Sequence, residues 1–255
     1  MSTLLETTRP MLEVSGLTKT FGGYTAVHDV AITTAVGEVR AIIGPNGAGK
    51  TTLFNLLSGY LKPTHGAIVL DGVNIAGKAP HRIARAGVSR AFQTTNIFPT
   101  FTVLDNVLIS LFARHRLQFH LWGRRSRQLR DKAENILEMV HLQDDRTKLA
   151  SMLAHGNQRA LEVAIALGCE PKALLLDEPT AGMSPYETHD MIALLERIVH
   201  DHGLTVLLSE HDMDVVFGLA DQVTVMEAGR VLAQGPPEEI KHNPEVRRAY
   251  LGEDE

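Results

Sequence analysis

Apolar positions in this chain follow two periods. Short continuous runs at Val39-Arg40-Ala41-Ile42-Ile43, Ala173-Leu174-Leu175-Leu176 and Leu204-Thr205-Val206-Leu207-Leu208 predict buried strands, and each is followed by apolar residues at helical spacing. After the first run these are Leu53, Phe54, Leu56, Leu57 and Tyr60. Buried strands alternating with helices predict a parallel α/β sheet. Upstream, Met11-Leu12-Glu13-Val14 and Val30-Ala31-Ile32 are separated by glycine turns at Gly16, Gly22-Gly23 and Gly37, a pattern of antiparallel strands leading into the first buried strand. Residues 66–72 predict a further strand and turn, and Val223 to Leu232 a hairpin. From Thr102 to Ala166 the period is helical, with Leu104, Val107, Leu108 and Leu111 on one face and Ile136, Leu137, Val140 and Leu142 on another, so this segment reads as an α-rich insertion. The tail from Pro236 is polar and helical in pattern.

Chemistry sits where the buried runs end. After Ile43 the chain reads Gly44-Pro45-Asn46-Gly47-Ala48-Gly49-Lys50-Thr51-Thr52, which fits G-x-x-x-x-G-K-[ST]. Glycines in such a loop bring backbone N–H groups to phosphate oxygens at a helix N-terminus, the lysine adds a charge, and the hydroxyl of Thr51 suits Mg²⁺. The run at 173–176 ends in Asp177-Glu178. If both lie on the strand, their side chains alternate and take different jobs, Asp177 holding Mg²⁺ through water and Glu178 orienting the attacking water. A strand that simply ends in acids is the alternative. Ser209-Glu210-His211 follows the third run, and a histidine there could contact a γ-phosphate or be structural. Loop and carboxylates together imply binding and hydrolysis of a nucleoside triphosphate with Mg²⁺.

Composition narrows the class. At 255 residues and 44% hydrophobic the chain can bury a substantial core, and one domain with subdomains is expected. No stretch reaches membrane-spanning length and residues 1–10 lack a secretory pattern, so a membrane role would come through a partner and a cytosolic setting is expected. The one cysteine, Cys169, reads as a packed thiol. A net charge of −5 argues against a surface built to hold nucleic acid. Yet Arg114, Arg116, Arg124, Arg125, Arg127 and Arg130 occur with no acid between them, interleaved with Leu117, Phe119, Leu121 and Trp122. That segment is either a solvated basic helix or a face meeting a membrane or a membrane-embedded partner.

Taken in order, these residues resemble the ATP-binding cassette (ABC) family over nearly the whole chain. Phe21 resembles the aromatic residue that stacks on adenine, with Tyr24 a second candidate; Gln93 resembles the glutamine that reaches metal and attacking water. Ala154, His155, Gly156 and Asn157, between Leu153 and Gln158, line up with the signature sequence at a helix start, Ala181 to Pro185 with the D-loop, and His211 with the H-loop histidine. The resemblance implies a P-loop NTPase (RecA-like) core with an N-terminal antiparallel β subdomain and an inserted α-helical subdomain. The expected division is one domain over 11–255, with the core and β subdomain at 11–93 and 160–235, the helical subdomain at 94–159, and a tail at 236–255. It further implies catalytic roles for Glu178, His211 and Gln93, and ATP contacts from Phe21 and from Gly44, Pro45, Asn46, Gly47, Ala48, Gly49, Lys50, Thr51 and Thr52. Metal contacts fall to Thr51, Gln93 and Asp177. Three departures stand out: Ala154 replaces the signature serine, His155 and Asn157 its glycine and glutamine, and Ser184-Pro185 the usual leucine-aspartate of the D-loop.

Within the family the chain is similar to ATP-binding subunits of prokaryotic branched-chain amino-acid importers, through Phe21-Gly22-Gly23, the run 91–98, the basic insertion and the tail 243–252. This implies a dimer with a second cassette, identical or paralogous, whose nucleotide meets the signature in trans. It also implies a permease, indirectly a periplasmic or extracellular solute-binding protein, and a place on the cytoplasmic face of the cell's inner membrane held through the permease. Urea, short amides or aromatic acids are the cargo of close relatives. A soluble cassette acting on nucleic acid or ribosomes is the alternative; such proteins carry two cassettes or a long coiled coil, and this chain shows neither. A GTPase or small-molecule kinase fits less well, because no Asn-Lys-x-Asp base-reading motif is present.

Overall fold

Two sheets share one helix between them. The computed structural model describes residues 9–91, 97–115 and 124–251. Strands β1 (Pro10–Phe21) and β2 (Tyr24–Ala35) form a hairpin that turns at Gly22-Gly23, and β1 also pairs antiparallel with β4 (His65–Leu70), which turns at Asp71-Gly72 into the short β5 (Val73–Asn74). Gly16 does not end a strand as the sequence suggests. It lies inside β1, at φ +59°, where the register shifts between Val14 and Leu17, so the glycine makes a bulge and the strand runs on.

The second sheet has the order β10-β9-β3-β8-β7-β6. Its members are β3 (Val39–Ile43), β6 (Val88–Ala91), β7 (Ala173–Asp177), β8 (Thr205–Ser209), β9 (Gln222–Glu227) and β10 (Arg230–Gly235). All neighbours are parallel except the β9–β10 hairpin. The all-buried patterns of β3, β7 and β8 match a sheet covered on both faces.

On one face, Ile42, Leu175 and Leu207 pack with Leu53, Phe54, Leu56 and Leu57 of α1 (Lys50–Leu57) and with Leu12, Val14 and Ile68 of the antiparallel sheet. Each large side chain fully buried here contributes about 1.5–3 kcal/mol. Tyr60 is not part of that stripe, because α1 stops at Leu57 and the ring lies 60% exposed beyond it.

α2 (Pro80–Ala86), which precedes β6, joins the α1 face through Ile83. The opposite sheet face carries α3 (Val103–His115), α4 (Arg124–Met139) and α5 (His155–Gly168), which make the helical insertion, and α6 (Pro185–His202) and α7 (Met213–Leu219), which follow β7 and β8. Val107, Leu137 and Leu161 of the insertion share one apolar cluster with Leu174, Leu176, Leu195 and Val216. α5 runs unbroken through residues 159 and 160, where the sequence reading separates helical subdomain from core. The chain ends in α8 (Pro237–His242) and α9 (Pro244–Val246), followed by one wider turn over Arg247–Leu251.

Candidate active site

Strands β3, β8 and β7 lie side by side with Ile42 opposite Ser209 and Ser209 opposite Asp177. Their carboxyl ends therefore reach one level, which is where open parallel sheets bind ligands. Here the phosphate loop leaves β3. Gly44 has φ +149° and a Cβ on it would lie 2.1 Å from the Met226 carbonyl oxygen; Gly49, the residue before α1, has φ +100° and a Cβ there would lie 2.5 Å from the Ala26 carbonyl oxygen. Only glycine fits either place. These contacts also seat the loop against β2 and β9, as does the Gly229 N–H, which donates to the Ala48 carbonyl at 3.1 Å.

The Lys50 ammonium folds back over the loop and donates to the Gly44 carbonyl and, at 3.1 Å, to the Pro45 carbonyl. Burial pushes its pKa down, while Glu178 and Asp177 push it back up. Lysine and both carboxylates thus share one electrostatic site.

Asp177, the last residue of β7, is 3% exposed. Its Oδ1 accepts from the Ser209 hydroxyl at 2.6 Å, and its Oδ2 accepts from Arg90 at 2.6 Å. Glu178 corrects the sequence reading. It lies beyond the strand in the left-handed region, φ +54°, so a turn rather than strand alternation separates it from Asp177. Its N–H donates to the Ser209 carbonyl at 3.0 Å and toward the Ser209 hydroxyl at 3.3 Å, contacts across strands that hold the unusual backbone. The Glu178 carboxylate comes within 3.6 Å of His211 Nδ1.

Three residues that hold this site were given no role by the sequence. Ser209 and Arg90 orient Asp177. Glu210, 1% exposed, accepts from the Thr180 N–H at 3.0 Å and hydroxyl at 2.6 Å, and its other oxygen accepts from the His211 N–H at 3.2 Å, tying the loop after β7 to the end of β8. The one available signal was a glutamate directly following a buried strand.

The other expected residues fall in three places. Phe21 ends β1 at the hairpin tip, 44% exposed, with the Lys19 ammonium 4.9 Å from its ring centre; Tyr24, opposite it, is 61% exposed. Gln93 and Phe92 lie outside the described residues, as do Arg116, Leu117, Phe119, Leu121 and Trp122. Ala154 directly precedes α5, which begins at His155, as the resemblance implies. No side chain of Ala154 caps that helix. Instead the Gly156 N–H donates to Glu187 Oε1 at 3.2 Å, and Glu187 with Ser184 also closes the capping box at the start of α6. The starts of α5 and α6 are therefore joined through one carboxylate.

A glycine loop at the end of one parallel strand, with a lysine facing carboxylates at the end of another, defines a P-loop nucleoside triphosphatase. More narrowly, the chain belongs to the ABC transporter family, whose family model, described as ABC transporter, matches residues 27–181, and a second model, described as branched-chain amino acid ATP-binding cassette transporter, matches residues 230–255. It is an ATP-binding cassette ATPase. The chain is 44% identical to the high-affinity branched-chain amino acid transport ATP-binding protein BraF of Pseudomonas aeruginosa, with 96% of this chain and 99% of that protein covered. It is 41% identical to LivG of Escherichia coli, named for the same transport, over 96% and 99%. The crystal structure of the ADP conformation of MJ1267, an ATP-binding cassette of an ABC transporter, superposes with a TM-score of 0.85 at 31% identity, over 96% of this chain and 100% of that one.

Proposed function

We propose that this chain hydrolyses ATP to energise an importer of branched-chain or related amino acids. Lys50 and the backbone N–H groups of residues 46–52 hold the β- and γ-phosphates, and Phe21 packs on the adenine. Thr51 and Asp177 offer a hydroxyl and a carboxylate, the oxygen donors a hard cation such as Mg²⁺ takes, and Asp177 keeps unshared lone pairs beside its two hydrogen bonds. Bound there, the ion would neutralise charge on the transferring phosphoryl group. Glu178 orients the attacking water and His211, beside it, faces the γ-phosphate; Gln93 joins them from the segment after β6. Ala154, His155, Gly156 and Asn157 present the start of α5 to nucleotide on a second cassette.

The observation that carries the ATPase reading is the convergence of Lys50, Asp177, Glu178 and His211 at adjacent carboxyl ends of one sheet. Likeness to BraF and LivG, and the match at 230–255, support the cargo class and a permease partner fed by a solute-binding protein. Among the described residues no helix is long and apolar enough to cross a membrane, which fits a cassette held at the cytoplasmic face through that permease. In the test, Glu178→Gln keeps ATP binding, loses nearly all hydrolysis and accumulates an ATP-bound dimer. Near-normal turnover would remove Glu178 from its role. Uptake of labelled leucine by cells lacking the chain, restored by wild type and not by this variant, tests the cargo.

A further inference from the structure

Arg90 is the only cation whose described contacts reach both the carboxylate proposed for the metal and the helix that follows the phosphate loop. One guanidinium nitrogen donates to Asp177 Oδ2 at 2.6 Å; another donates to Asn55 Oδ1 at 2.7 Å and to the Ser58 hydroxyl at 3.3 Å, and the guanidinium lies 5.9 Å from the centre of the Phe54 ring. The side chains of Arg90 and Asp177 are 9% and 3% exposed, so water screens this pair little. β6 carries Arg90 opposite Leu175 of β7, and the chain passes from β6 toward Gln93 three residues later.

A carboxylate has room for several donors, and Ser209 takes Oδ1 while Arg90 takes Oδ2. Its direction is therefore fixed before any ion arrives, and its charge is already balanced by a guanidinium that stays protonated. A divalent ion meets a carboxylate whose pull is reduced by one neighbouring positive charge. We propose that Arg90, through its charge, holds down the affinity of Asp177 for the divalent ion, while the Ser209 hydroxyl keeps the direction of the carboxylate. A metal bound with moderate strength can leave with the product at each turnover. This rests on the reading of Asp177 as the metal carboxylate.

The experiment titrates Mn²⁺ into the full chain saturated with ADP, followed by electron paramagnetic resonance, for wild type, Arg90→Gln, Arg90→Met and Arg90→Lys. Both neutral variants should lower half-saturating Mn²⁺ by at least about tenfold, the size of one charge acting on a divalent ion across roughly 6 Å even at water-like screening, the weakest it can be at this buried pair. Lysine keeps the charge but not the fork that reaches Asn55, so Arg90→Lys should stay near wild type while losing stability to urea like the others. A merely structural arginine would alter urea stability in all three and Mn²⁺ affinity in none. Unchanged or weakened Mn²⁺ binding in folded Arg90→Gln overturns the proposal. Asp177→Asn is the separate control: it must weaken Mn²⁺, and if it does not, the fault lies in placing the metal at Asp177.

Discussion

Lys50 shows how much one side chain is asked to do before any ligand arrives. Its ammonium is satisfied by loop carbonyls and drawn by two carboxylates, and burial still leaves its pKa below the ordinary 10.5. A lysine with a lowered folded pKa binds its proton less tightly folded than unfolded, so through this group stability rises with pH between the lowered value and 10.5. Triphosphate binding runs the other way, since only the charged form attracts it. ATP affinity, measured by calorimetry, should be flat near neutral pH and fall as pH climbs through the lowered Lys50 value, earlier than an ordinary lysine would allow. Lys50→Ala should weaken ATP by about tenfold or more at pH 7, the loss of a charge-assisted bond worth ~1.5–3 kcal/mol, and should remove that alkaline step. The loop that carries Lys50 and the strand that ends in Asp177 were legible in the sequence because a glycine-rich loop and a buried apolar run each leave a pattern along the chain. Arg90 and Glu210 were not, because each acts on a residue 87 or 30 positions away, across strands whose order only the sheet reveals. The left-handed backbone of Glu178 was equally silent. Asparagine tolerates that region better than most residues, so Glu178→Asn should abolish hydrolysis without lowering the melting temperature, whereas a clear fall would mean the side chain also stabilises the fold.

At the scale of elements, the apolar period identified β3, β7 and β8 and the helical insertion, since burial on both sheet faces and on one helix face leaves its mark on every residue. What it missed were places where backbone, not burial, decides: the bulge at Gly16, and the end of α1 before Tyr60. Arg40 is the polar exception inside β3. Burial pushes its pKa down and Glu38, 2.8 Å away, opposes that, while Thr224 and Gln234 accept from its other nitrogen. Removing one partner of a buried pair leaves a charge alone, so Glu38→Ala should cost about 3 kcal/mol in urea unfolding. Replacing both partners together, Glu38→Leu with Arg40→Met, takes the two charges away as a pair and should cost less than Glu38→Ala alone; a double variant that costs as much would show that the charge left alone is not the source of the loss. A second element-level test concerns α5 and α6. Hydrogen bonds from the Ser184 backbone and side chain, then from the Gly156 N–H, hold the Glu187 carboxyl below its usual pKa. A depressed carboxylate stabilises above its unfolded pKa and loses that contribution as pH falls through the folded value. The melting-temperature gap between wild type and Glu187→Gln should therefore be full at neutral pH and close on acidification below about the normal 4.5.

For the whole molecule the question is how a surface far from the carboxylates takes part in their chemistry. Of the basic segment, Arg114 donates to the Arg85 carbonyl at 2.8 Å and Arg130 approaches Glu134 at 3.4 Å, while Arg127 is exposed. Its sequence announces charge without saying what faces it. Replacing Arg124, Arg125 and Arg127 by Ser should leave ATP binding unchanged and weaken docking to permease-containing membranes, and unaltered docking across a range of salt would make the segment a solvated face. The start of α5 carries the sharper test. In the proposed dimer it meets the partner's γ-phosphate, which backbone N–H groups and the positive helix end can hold without a side chain. Ala154→Ser adds one hydroxyl contact, so the assembled ATPase rate should change by no more than about tenfold. Gly156→Asp introduces a carboxylate and must also move Glu187, whose Oε1 lies 3.0 Å from where the new Cβ falls. That side chain is flexible, and its loss alone can be measured in Glu187→Gln. We expect Gly156→Asp to abolish dimer-dependent hydrolysis while the same chain's own loop still binds ATP, and Glu187→Gln to retain most of the rate. Equal losses in the two variants would mean that the α5–α6 link, and not a negative charge facing the partner's nucleotide, is what the assembly requires at Gly156.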